Sequence, residues 1–169
     1  MKIVVMGYSG AGKSTLARAL GERYNVPVLH FDTVYWAPNW QERDRGEAHR
    51  MVREFMENPS CVIDGNYTKF EYERRMRESN QIIILDFPRL VCFFRAWKRY
   101  FRYRGRTRDD MGEGCPEKMD PEFMRWILWE GRTHSKRRKF QEIFEQYPKK
   151  TVVLRCQKDI DQYLEGLPC

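Results

Sequence analysis

The chain has 169 residues, 41% hydrophobic and 14% aromatic, which suits one ordinary domain with a real core and leaves little for a second. No apolar run approaches the roughly 18 residues of a membrane span, and the stretch Met1 to Met6 has neither the length nor the cleavage pattern of a signal peptide, so a soluble cytoplasmic protein is expected. The net charge of +7 is concentrated in Arg95, Lys98, Arg99, Arg102, Arg104, Arg106 and Arg108, and again in Arg132, Lys136, Arg137, Arg138 and Lys139, which indicates polyanions handled at particular places.

Lys2 to Met6 is a β-branched apolar run suited to a central parallel strand. A Gly-rich turn follows, then "STLARALGERY" with Leu16, Ala17, Leu20 and Tyr24 at helical spacing. Val26 to Phe31 is read as a second strand, and "DTVYWAPNWQERDRG", broken by Pro38, as a loop. Ala48, Met51, Val52, Phe55 and Met56 form a helical stripe ended by Asn58-Pro59. Cys61 to Asp64 is a third strand, "KFEYERRMRES" a polar surface helix, and Gln81 to Asp86 a fourth strand. From Leu90 to Tyr103 the spacing predicts an amphipathic helix. Leu90, Phe93, Phe94, Trp97 and Phe101 mark its packing face, and Arg95, Lys98, Arg99 and Arg102 its other face. "RGRTRDDMGEGCP" reads as a mobile loop. Helix returns from Pro121 to about Tyr147, with a break near Gly131. Thr151 to Arg155 is a fifth strand, and Ile160, Tyr163, Leu164 and Leu167 mark a closing helix. Strands alternating with helices predict an α/β fold on a parallel sheet, in one domain over 1–169.

"GYSGAGKS" is Gly7-x-x-x-x-Gly12-Lys13-Ser14, placed after a strand and opening a helix, which is the context of a P-loop. The glycines let backbone amides wrap a phosphate without a Cβ in the way. Lys13 reaches the β/γ oxygens, the Ser14 hydroxyl suits Mg²⁺, and the helix start adds partial positive charge. The nucleotide segment is Gly7, Tyr8, Ser9, Gly10, Ala11, Gly12, Lys13, Ser14 and Thr15. A P-loop also wants an acid at the end of a neighbouring strand for the magnesium shell. Asp64, followed by Gly65, is preferred over Asp86. Asp32 ends strand two and is expected in the same cleft, as a base or orienting group for an acceptor hydroxyl, or alternatively as a cap on the turn at Thr33. Tyr35, Trp36 and Trp40 offer an aromatic wall, or ordinary packing. Asn66 and Tyr67 are further candidates for the acceptor pocket, while His30 is read as packed. His49 and His134 lack metal-ligand spacing. The cysteines Cys61, Cys92, Cys115, Cys156 and Cys169 are scattered without a C-x-x-C pair, so reduced thiols are expected.

The P-loop, "HFDTVYW", "VIDGNY" and "IIILDFPR", followed by the Arg-rich segment, resemble the adenylate-kinase-like group of P-loop kinases, and more narrowly DNA topology modulation proteins, over nearly the whole chain. The resemblance implies a three-layer α/β/α P-loop fold with a five-stranded parallel sheet in the order 2-3-1-4-5, with ATP and Mg²⁺ as cofactors. It also implies an acceptor-binding segment at about 32–60 and a lid at about 104–120. Asp-Gly at 64–65 looks like the adenylate-kinase strand end, but the chain continues Asn66-Tyr67-Thr68 where adenylate kinases have Phe-Pro-Arg, against ordinary AMP recognition. Kinases of the shikimate and gluconate type, and 5′-hydroxyl polynucleotide kinases, place an Asp where Asp32 stands. Lid arginines of such kinases close over the phosphates, a role implied for Arg104, Arg106 and Arg108. Arg132 and Arg137 are candidates for contact with the acceptor or γ-phosphate. The lid holds only Cys115, so no lid zinc is implied. The expected activity is phosphoryl transfer to a small acceptor such as a nucleoside, nucleotide or hydroxyl metabolite. The alternatives are a 5′-hydroxyl polynucleotide kinase, a nucleic-acid-binding protein using the basic stripe 95–108, and an ATP-hydrolysing switch.

Overall fold

A computed structural model describes residues 1–167; Cys169 lies outside the described residues. Five parallel strands form the central sheet: β1 (Lys2–Gly7), β2 (Val28–His30), β5 (Cys61–Asp64), β6 (Gln81–Leu85) and β7 (Thr151–Leu154). They stand in the order β2-β5-β1-β6-β7, which counted among these five alone is 2-3-1-4-5. The whole-chain numbering differs because two further strands intervene. β3 (Trp36–Ala37) and β4 (Gln41–Glu42) pair antiparallel as a small ribbon in the stretch read as loop. The second strand is also shorter than expected. Phe31 leaves it to begin α2 (Phe31–Tyr35), and Pro38–Trp40 makes a 3₁₀ turn between the ribbon strands.

The sheet is buried on both faces, which is why its strands read as continuous apolar runs. Ile3, Val5, Val62, Ile83 and Leu85 pack against Leu16, Ala17 and Leu20 of α1 (Lys13–Tyr24), Cys92 and Ala96 of α5 (Arg89–Tyr103), and Ile160 of α8 (Gln157–Glu165). On the other face, Val4, Met6, Ile82 and Ile84 meet Met76 of α4 (Tyr72–Glu78) and Ile143 of α7 (His134–Gln146). Phe31, Val34, Cys61, Ile63 and Phe70 close over Ala48, Val52 and Met56 of α3 (Arg45–Met56). α6 (Pro121–Leu128) is capped by Asp120 and ends before a 3₁₀ turn at Glu130–Arg132, so the expected break near Gly131 is present. No helix of the described residues is long and apolar enough to cross a membrane.

Two faces differ from the sequence expectation. On α5 the packing face is Cys92 and Ala96, both at 0% exposure, while Leu90, Phe94, Trp97 and Phe101 face outward. Phe93 packs on the core and Lys98 and Arg102 are exposed, as expected, but Arg95 and Arg99 of the polar side turn inward. Arg95 Nη1 donates to Ala11 O (3.1 Å) at the P-loop, and Arg99 Nε donates to Glu117 Oε1 (2.8 Å). The core-side positions therefore carry cations that have partners there. α4 is likewise no surface helix, because Arg75 and Met76 are buried. Arg75 Nε donates to Phe70 O (3.0 Å) and its Nη atoms to Gly65 O and Tyr67 O, with the guanidinium 4.4 Å from the centre of the Phe31 ring.

Candidate active site

The P-loop forms because its glycines do what no other residue can there. Gly10 has φ +80°, and a Cβ on it would sit 2.3 Å from Cys92 O. Gly7 has φ +144°, and its Cβ would lie 2.5 Å from Leu85 O. Gly12 (φ 101°) enters α1 with no side-chain cap and no acid in the first turn, so the helix start offers its amides and dipole to an anion. Lys13 Nζ rests on Tyr8 O (3.2 Å). Asn66 braces this turn: Gly7 N–H donates to its Oδ1 (2.9 Å) and its Nδ2 donates to Gly7 O (2.6 Å). Both ends of the Asn66 amide are thus engaged by the loop, in place of the acceptor contact expected for it.

Parallel register sets the carboxylates beside the loop. Val5 pairs with Asp64, and Asp64 with His30, so the ends of β1, β5 and β2 meet. Asp64 is buried, its Oδ2 lies 2.8 Å from His30 Nδ1, and its Oδ1 has no hydrogen-bond partner. His30, expected as mere packing, therefore orients that carboxylate. A buried carboxylate oxygen without a partner is an acceptor that a water on a magnesium ion would satisfy. Asp86 stands apart, 3.9 Å from Arg155 Nε and half-exposed.

Asp32 sits in the first turn of α2, and Tyr67 donates its hydroxyl to Asp32 Oδ1 (2.8 Å). Its carboxylate is thus held across the cleft, whereas the Thr33 hydroxyl takes the local turn contact, to His30 O (2.7 Å). Burial pushes the Asp32 carboxyl above its ordinary range against the opposing field of Lys13, and the Asp64 charge adds to the rise. Burial, with the adjacent Asp32 charge, pushes the Tyr67 phenol well above its ordinary range, so it remains a donor. Tyr35 packs edge-on to Trp36 (4.8 Å between ring centres) and tilted to Tyr67 (4.9 Å), and Trp36 meets Trp40 at 5.4 Å. All four rings are half-buried.

The 104–120 segment is tied down rather than loose. Arg108 donates to Glu117 Oε2 (2.6 Å) and Asp110 Oδ2 (2.7 Å), and Glu117 also binds Arg99. Burial works to raise the Asp110 carboxyl. The Arg108 guanidinium, a hydrogen bond with Ser14 and the nearby His30 together hold it below its ordinary range. Residue 110 thus reaches the P-loop serine, a placement that no spacing in the sequence signals. At the tip, Gly112 lies against Trp36, where a Cβ would be 2.2 Å from Trp36 O. Asn39 N–H donates to Gly114 O (3.3 Å), Trp40 N–H to Cys115 Sγ (3.3 Å), and Cys115 Sγ–H to Ala37 O (3.3 Å).

The three lid arginines do not converge. Arg108 turns inward, while Arg104 and Arg106 are exposed with no side-chain partner among the described residues. Arg132 is buried over the Tyr8 ring (3.8 Å), donates to Cys92 Sγ (3.0 Å), and leaves Nε without a partner. Arg137 is exposed and donates to Arg132 O (3.0 Å). Arg95 reaches the P-loop although the helical period puts it on the outer face of α5. A hollow of about 680 Å³ between α4 and α7, lined by Arg74, Arg77 and Lys139 among others, holds none of these groups.

Residues 3–161 match the AAA domain family. The chain belongs to it. Over 93 residues it is 31% identical to the adenylate kinase of Listeria monocytogenes serotype 4b (strain CLIP80459) and 33% identical to that of serotype 4a (strain HCC23). Each match covers 54% of this chain and 42% of the relative, so the chain spans under half the length of the curated relatives it matches. In structure it is similar to shikimate kinase from Bacteroides thetaiotaomicron, with a TM-score of 0.50 at 18% identity, covering 98% of this chain and 94% of that one. The fold is that of the P-loop kinases.

Proposed function

We propose that the chain is a P-loop phosphotransferase that moves the γ-phosphoryl group of ATP to the hydroxyl of a small acceptor held at Asp32, in the cytoplasm. The observation that carries this is the half-buried Asp32 carboxylate, fixed by the Tyr67 hydroxyl within the field of Lys13. The P-loop amides and Lys13 hold the triphosphate. Asp32 accepts the acceptor's hydroxyl proton while the acceptor oxygen bonds to phosphorus and the bond to the ADP oxygen breaks. Ser14 and Asp64, the latter through water, would hold Mg²⁺, which when bound neutralises the phosphate oxygens. Arg132, buried over the Tyr8 ring with no partner for its Nε among the described residues, is the cation proposed to meet charge on the transferred group. The 104–120 segment is the lid, and its seat on the 36–42 ribbon excludes water and so suppresses plain ATP hydrolysis.

The test is ADP release from Mg-ATP over a panel of nucleosides, nucleoside monophosphates, hydroxy acids and 5′-hydroxyl oligonucleotides, with Lys13→Ala and Asp32→Asn alongside. Acceptor-dependent release lost in both variants is the expected result. Release indifferent to every acceptor would overturn the reading in favour of a hydrolysing switch.

A second reading, nucleic-acid binding as the likeness to DNA topology modulation proteins suggests, is favoured by one observation. Lys98, Arg102, Arg104 and Arg106 are exposed and have no side-chain partner among the described residues, beside the outward Phe94, Trp97 and Phe101. Salt-sensitive binding of single strands, lost on charge reversal at Arg102 and Arg104, would carry that reading.

A further inference from the structure

The geometry points to an uncharged, ring-bearing hydroxyl compound of the nucleoside class as the acceptor, in preference to a nucleoside monophosphate. The inference rests on the phosphotransferase reading and narrows it.

A monophosphate acceptor brings two negative charges that need cations on the acceptor side of the cleft. The cations acting most strongly on Asp32 are Lys13 and Arg108. Lys13 belongs to the P-loop, and Arg108 is already divided between Glu117 and Asp110. The arginines of the acceptor segment, and Arg75 beyond it, are turned elsewhere; Arg50 is exposed beside Glu54. Arg43 donates to Val34 O, Thr33 O and Glu47. Arg53 is paired with Glu71. Arg75, buried behind Phe31, is engaged by three backbone carbonyls. Arg45 is exposed at the start of α3, where Asp44 already caps the helix through Glu47 N–H and Glu47 adds its own charge. That leaves no anion cradle at the helix start.

The acids point the same way. Asp64 ends β5 with Asp32 nearby in the first turn of α2, and Asp110 is hydrogen-bonded to Ser14 from the 104–120 segment. A second phosphate here meets carboxylates; a neutral hydroxyl meets acceptors for its proton. Beside Asp32 stand the half-buried rings of Tyr35, Trp36 and Tyr67, with Tyr35 edge-on to Trp36 (4.8 Å) and tilted to Tyr67 (4.9 Å), an apolar wall against which the ring of an acceptor can pack.

The experiment measures kcat/KM with Mg-ATP for adenosine, cytidine and thymidine, for their 5′-monophosphates, and for glycerol as a ring-free hydroxyl compound. Wild type is compared with Trp36→Ala and Arg45→Ala. At least one nucleoside should exceed its monophosphate and glycerol by about 100-fold or more, the scale on which a site lacking partners rejects a charged analogue. Trp36→Ala should raise the nucleoside KM about 10-fold with little change in the KM for ATP, and Arg45→Ala should change neither. Faster turnover of a monophosphate, dependent on Arg45, would overturn the inference while leaving the phosphotransferase reading standing. Turnover of glycerol equal to that of every nucleoside would overturn the ring requirement. No turnover of any acceptor despite ATP binding would remove both.

Discussion

The Tyr67 hydroxyl donates to Asp32 Oδ1 across 2.8 Å and holds the one acid at the end of β2 away from its own backbone. The pairing sets the acid's titration. Burial raises the Asp32 carboxyl and the Tyr67 hydrogen bond lowers it, so Tyr67→Phe should raise it further. As the proposed base, Asp32 would act when ionised. The acid limb of kcat/KM should therefore move to higher pH in Tyr67→Phe, with a loss of about 10-fold at neutral pH and the KM for ATP retained. An unmoved limb would remove Asp32 from the role of base.

The same shift has a stability consequence of definite sign. A carboxyl whose pKa is raised on folding binds its proton more tightly in the native state. Stability therefore falls as pH rises from the ordinary carboxylate range through the raised value. Asp32→Asn removes the buried charge and should raise Tm at pH 7, by about 2–4 °C for each kcal/mol relieved, while abolishing transfer. The gain should vanish at a pH below the ordinary carboxylate range. Equal Tm values for the two proteins at both pH values would contradict the burial argument.

An ion network in the 104–120 segment joins Arg99 and Arg108 to Glu117, which is 8% exposed. Removing one member of a buried ion cluster leaves the others uncompensated, at a cost of about 3–5 kcal/mol. Glu117→Ala should lower Tm and speed proteolytic cleavage within 104–120, because both arginines lose their shared acid. Cleavage at the wild-type rate would show that the cluster does not hold the segment.

Much of this was legible in the sequence, and the reasons differ by element. The sheet strands were readable because parallel strands buried on both faces are unbroken apolar runs. The P-loop was readable because its glycines answer local backbone demands. The ribbon at 36–42 was not, since two-residue strands carry no period and Pro38 reads as a breaker. The α5 face was misread in part, because the usual assumption, apolar inside, fails where a helix borders the P-loop turn and directs Arg95 to its backbone. Asp110, Glu117 and His30 were missed because only tertiary contact gives them partners. Arg75 was missed because a lone arginine in a charged helix gives no sign that three carbonyls await it.

The two faces of α5 make opposite demands of neighbouring residues. Ala96 is fully buried, so Ala96→Leu should overpack the helix against the sheet and cost about 1–3 kcal/mol. Phe94 is 65% exposed, so Phe94→Ala should change stability by less than about 1 kcal/mol. Urea unfolding of the two variants measures both. Had the aromatic side been the packing face, the order of the two effects would reverse.

Gly112 offers the sharpest test of the lid seat. Its Cβ would fall 2.2 Å from Trp36 O, a contact with backbone that no rotamer change relieves. Gly112→Ala should therefore keep the lid from seating on the ribbon. The P-loop and core lie outside this contact, so ATP affinity and Tm should change little. Acceptor-dependent turnover should fall about 10²-fold, the scale of a catalytic geometry displaced by an ångström. ADP release without acceptor should rise relative to transfer, because water is no longer excluded. The ratio of hydrolysis to transfer is the quantity to measure; if it is unchanged while Gly112→Ala binds ATP normally, the seat of Gly112 on Trp36 has no part in closing the site.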